Sequence, residues 1–171
     1  MKPDITNAKQ SLMLLKAGVN PLSANMMLQR VDKNTWMTVI DDDHKVTVIC
    51  RDGKGKKITM NDFPKSDFVK QQQFSTTHGI LPALSTGALL DIIPDDQRQT
   101  VMITRGGYDS SRYNDTDEDG YVADAHFANF DFEDKENEIF FNKVYGGDSY
   151  IEAATKLVVD YLSTICKIIP K

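Results

Sequence analysis

Three carboxylates at alternate positions, Asp115, Asp117 and Asp119, precede Gly120. Hard oxygen ligands spaced this way can wrap a hard cation, with the glycine allowing the tight bend. Two histidines stand near polar partners in the sequence. His78 follows two threonines, and His126 is two residues from Asp124. On a strand, residues two apart share a face, so Asp124 could orient the His126 imidazole. If His78 and His126 converged, one could act as general acid and the other as general base, as a small hydrolase or phosphoesterase requires. The cationic turn from Arg51 to Lys57 contains two glycines but lacks the phosphate-loop spacing and a following helix, so it reads as a solvated turn.

With Gly120 at the bend, Tyr121 offering a carbonyl and Val122 as the following apolar residue, the Asp115 segment resembles the front half of an EF-hand loop. That resemblance implies calcium, held by Asp115, Asp117 and Asp119. The pattern departs from the family at the twelfth position, where His126 stands in place of a bidentate glutamate, and the flanks do not read as helices. A calcium loop would need a distant carboxylate to complete it. The simpler expectation is a solvated acidic loop with no cofactor.

Charge is the broader signal. The chain has 171 residues and a net charge of -5. Residues 1–75 hold 12 Lys/Arg against 8 Asp/Glu, a balance of +4, whereas residues 76–171 hold 8 against 17, a balance of -9. An acidic half argues against nucleic acid and favours a basic protein partner. The residues expected to meet it are Asp115, Asp117, Glu118, Asp119, Glu133, Asp134 and Glu136. The leading expectation is therefore a non-enzymatic binding protein with an acidic surface. One concrete form is an immunity or inhibitor protein against a basic toxin or nuclease. The competing expectation is a histidine-dependent hydrolase or phosphoesterase using His78, His126 and Asp124, assisted by a metal at the Asp115–Asp119 loop.

These residues need a scaffold. Composition is globular, with 40% hydrophobic and 26% charged residues. No apolar run suits a signal peptide or membrane span, so a cytoplasmic location is expected. Cys50 and Cys166 read as small buried hydrophobes. Thr6 or Asn7 can cap a helix closed by Gly18, and Asn20-Pro21 suggests a second helix running to about Val31. Segments 35–40, 45–50 and 58–60 read as a three-stranded meander. A short helix is expected over Ser66–Gln73, with a polar loop at Ser75–Gly79. Strands are expected at Ala88–Ile93, Thr100–Thr104, Tyr121–Phe132 and Ile139–Tyr145. The last element is a long helix capped by Ser149 and Glu152. Its stripe of Ile151, Ala154, Val158, Tyr161, Ile165 and Ile168 follows helical spacing. The expected fold is one α+β domain over residues 1–171: a single antiparallel sheet of about six strands, short N-terminal helices, and a long C-terminal helix packed on one face.

Overall fold

The computed structural model describes residues 4–39, 50–51, 57–96, 98–106 and 125–169, except for the side chains of 50, 51 and 57. The chain divides into two compact units, Ile5–Ala88 and Leu89–Lys171, the second also including Met1–Asp4.

The first unit begins with α1 (Ala8–Ala17). Asn7 caps it by accepting from the Gln10 amide at 2.9 Å, and the Gln10 side chain accepts from the Asn7 amide in return. Gly18 closes it in the left-handed conformation at φ 101°, which glycine adopts without steric cost. Asn20-Pro21 starts only a single 3-10 turn, Pro21–Ser23. The helix expected to run to Val31 is instead strand β1 (Met26–Arg30). Met27 and Leu28 are both buried, so this central strand is covered on both faces. An apolar run of this kind has no alternation to distinguish it from a helix.

β1 pairs antiparallel with β2 (Trp36–Val39) and with β5 (Ile80–Ala83), in the order β2-β1-β5. Pro82 lies in β5, at the edge of this sheet, where a missing amide donor is tolerated. β3 (Cys50–Arg51) and β4 (Lys57–Ile58) form a separate two-stranded ladder. Residues 45–49 of the expected meander lie outside the described residues. Met60, expected in a strand, begins a 3-10 turn instead. The core gathers Leu15, Met27, Leu28, Met60, Phe63 and Leu81.

α2 (Phe68–His78) runs through the segment expected as a polar loop. Asp67 caps its start, and Gly79 ends it at φ 67°. Its buried positions are Gln71 and Ser75, which a search for apolar periodicity passes over. Gln71 is satisfied by donating to the Pro64 carbonyl at 3.0 Å. The strand expected at Ala88–Ile93 is replaced by α3 (Thr86–Leu90), whose Ala88 amide donates to the Ser85 hydroxyl at 3.3 Å.

The second unit holds β6 (Gln99–Arg105), β7 (His126–Asp134) and β8 (Ile139–Gly147), antiparallel in the order β6-β7-β8. Helix α4 (Tyr150–Ser163) packs against β7 and β8. The fold is thus α+β with a C-terminal helix, but the single six-stranded sheet is not what forms. The longer described strands make two three-stranded antiparallel sheets. Strands β1, β2 and β5 satisfy one another's backbone groups, and β6, β7 and β8 do the same within their own unit.

Burial of α4 follows the expected stripe from Ile151 to Tyr161; Ile165, expected in the same helix, is buried in a following 3-10 turn, Ile165–Lys167, and Ile168 is half-exposed. Ser149 accepts from the Glu152 amide at 3.3 Å, while the Glu152 carboxylate accepts from the Asp148 amide at 3.1 Å. The α4 side of the sheet is built by Ala128, Phe130 and Phe132, none more than 1% exposed. Burying each phenylalanine contributes about 1.5–3 kcal/mol.

Two glycines should respond oppositely to a methyl group. A Cβ on Gly147 would lie 2.9 Å from the Ala153 amide nitrogen, against backbone that cannot swing away. Gly147→Ala is expected to destabilise by about 1–3 kcal/mol. At Gly87 the nearest atom is 3.9 Å from such a Cβ, and the residue is helical. Gly87→Ala is expected to stabilise by about 0.4–1 kcal/mol. Urea unfolding of the two variants checks both signs.

Candidate functional site

The three-stranded sheet β6-β7-β8 has two faces of different character. Alternation puts Val101, Phe130 and Lys143 in one cross-strand row, and Ile103, Ala128 and Tyr145 in the next. These rows face α4. Phe130 meets Tyr161 edge-on with ring centroids 5.8 Å apart. Beside this contact, the Lys143 ammonium lies 3.0 Å from the Asp160 carboxylate, and the Tyr145 hydroxyl donates to the same oxygen. Burial opposes ionisation of Asp160. The hydrogen bonds from Tyr145 and Lys143 outweigh it and hold the carboxyl below the usual range. Burial first, and then the bond to Asp160, push the Tyr145 phenol well above its ordinary value. A phenol held neutral in this way is a structural donor, not an activated base.

The β7–β8 turn spends a second carboxylate. Asp134 is 6% exposed. It accepts from the Asn137 side-chain amide at 2.9 Å, from the Glu136 and Asn137 backbone amides at 3.1 and 3.2 Å, and from Arg98 at 3.3 Å. The Asn137 side chain is the main cause of its lowered pKa. Asp and Asn side chains commonly close turns in this way. Arg98 also pairs with Asp96 at 3.3 Å and lies 5.7 Å from the centre of the Phe132 ring.

The opposite face is open near this turn. An open groove of about 470 Å³ runs across it. Thr100, Asp131 and Asn142 form one cross-strand row of its floor. Glu133 and Phe140 are partners in the next row. Phe140 is 70% exposed. Lys135 lines the rim and lies 3.8 Å from Glu133. Residues 131–138 carry five carboxylates against the single Lys135, so the field at this end of the sheet is negative.

Of the residues singled out from sequence, Asp115, Asp117, Glu118, Asp119 and Asp124 lie outside the described residues. Among those described, no group of three or more His, Cys, Asp or Glu side chains is placed to hold a metal ion. His78 ends α2 in the first unit, its ring 4.4 Å from that of Phe74. His126 opens β7 in the second unit, edge-on to Tyr150 at 4.4 Å. Glu133 and Glu136 are exposed at the β7–β8 end, whereas Asp134 is turned inward. Asp131, Asn142 and Phe140 escaped sequence reasoning. The available signal was Phe140-Phe141: adjacent strand residues point to opposite faces, so one ring must stand away from α4. Among the described residues, no helix is long and apolar enough to cross a membrane.

No protein-family model, curated protein or solved structure matches the chain.

The Asp160 cluster makes a signed pH prediction. A carboxyl whose folded pKa is depressed adds stability above its unfolded value near 4, and loses it as pH falls through the folded value. Asp160→Asn is expected to cost about 1–3 kcal/mol at pH 7 and to flatten part of the acid limb. Asp32, Asp96 and Asp134, also depressed, keep their share of it. Urea unfolding from pH 7 down to about pH 2 checks this, and an equal loss at both ends would contradict it.

Proposed function

We propose that this chain is a non-enzymatic, cytoplasmic binding protein that engages a basic protein partner through the acidic surface of its C-terminal half. An inhibitor or immunity protein that covers the cationic surface of a toxin or nuclease is its most concrete form. One observation carries the reading: beside the β7–β8 turn an open groove sets an exposed aromatic ring, Phe140, next to Asp131 and Glu133, and the turn itself adds the exposed Glu136 and Glu138. Aromatic side chains are enriched at interface centres, and a surrounding field of one sign accelerates encounter with an opposite one.

The test is a tagged chain used to capture its partner from cells, followed by affinity measurements at low and high salt. The expected result is a basic partner whose affinity falls roughly tenfold or more between about 50 and 200 mM salt. Replacing Glu133, Glu136 and Glu138 together with glutamine should weaken it further at low salt. A salt-insensitive complex, or an acidic partner, would contradict the proposal.

A further inference from the structure

The groove floor is more specific than an acidic patch. Asp131 stands between Thr100 and Asn142 in one row. Among the described residues its carboxylate takes no hydrogen bond and joins no ion pair. The cations nearby are already engaged, Arg98 by Asp96 and Asp134 and Lys135 by Glu133. Phe140 is one register step away on the adjoining strand, diagonal to Asp131, and diagonal neighbours on a sheet face lie about 7–8 Å apart, within reach of a long side chain.

We infer that this floor takes an arginine side chain of the partner, its guanidinium forked onto the Asp131 carboxylate and its plane lying on the Phe140 ring. The inference rests on the proposed binding function and names the chemistry of its anchor. A guanidinium suits both contacts at once. Its planar fork matches a carboxylate with two parallel hydrogen bonds, and its weakly hydrated face stacks on an aromatic ring. The Asn142 amide and the Thr100 hydroxyl stand beside Asp131 and can accept its remaining N–H donors. A lysine ammonium offers a point charge without the fork or the plane, so the site should distinguish the two cations.

The test compares a tri-arginine peptide with a tri-lysine peptide of equal charge, titrated into the full chain and followed by calorimetry or amide NMR shifts. The arginine peptide should bind about 5-fold tighter or more. Asp131→Asn should weaken it by about 10-fold, and Phe140→Leu should remove most of the preference for arginine. Both positions lie on the open face of the sheet, and native circular dichroism verifies that the variants fold. Asp91→Asn, an equal charge change at an exposed carboxylate that does not line the groove, should cost no more than about 2-fold. Equal affinity for the two peptides would overturn the arginine site. So would an equal loss in Asp91→Asn and Asp131→Asn; salt-dependent binding that survives in either case would leave the broader acidic-surface reading standing. A chain that binds neither peptide at low salt would overturn both.

Discussion

The packing of α4 on the β6-β7-β8 sheet is the contact on which the second unit depends. A sheet of three antiparallel strands with an apolar face needs that face covered to persist in water, and α4 supplies the cover. Its stripe from Ile151 to Tyr161 lies over β7 and β8, and Phe130 meets Tyr161. Apolar packing is non-directional, so it cannot by itself set how far the helix slides along the sheet. Directional contacts do that. Asp160, in the last turn of α4, receives Lys143 and Tyr145 from β8. Near the start of α4, Gly147 leaves room for the close approach of the Ala153 amide.

Covering one face determines the use of the other. A strand whose alternate residues are buried under a helix presents the remaining residues outward, and near the β7–β8 turn these are Thr100, Asp131, Glu133, Phe140 and Asn142. Carboxylates of similar sequence context therefore have unlike roles. Asp134 and Asp160 are consumed by hydrogen bonds that hold the turn and the helix. Asp131 and Glu133 face the groove. Only the second kind contributes to a surface that a cationic partner can reach, and net charge alone does not separate them.

The parts of the fold legible in the sequence were those with one buried and one open face. The α4 stripe and its Ser149 cap were of this kind, and so were the strands around 100–104 and 139–145. Legibility failed where both faces are covered or where polar residues do the burying. Met26, Met27 and Leu28 form a central strand with no alternation to read. α2 buries Gln71 and Ser75, so its last turn resembled a loop. The apolar run after Ala88 was too short to reveal its period, and a serine cap turned its start into a helix. At the site, Glu133 is legible as a surface charge, whereas Asp134, expected beside it, is buried and hydrogen-bonded in the turn. Whether a carboxylate is spent on a turn depends on Asn137 and Arg98 reaching it, a matter of three-dimensional register. Phe140 escaped notice because an aromatic residue beside another reads as core until one face is known to be taken.

The division of carboxylates into structural and surface groups can be measured by carbodiimide footprinting of the folded chain, with modified sites identified by mass spectrometry. Asp131 and Glu133 should be modified early, while the buried Asp134 remains protected until the chain unfolds. Modification of Asp134 as fast as Asp131 under native conditions would contradict the claim that hydrogen bonding within the second unit, and not charge count, selects its working surface.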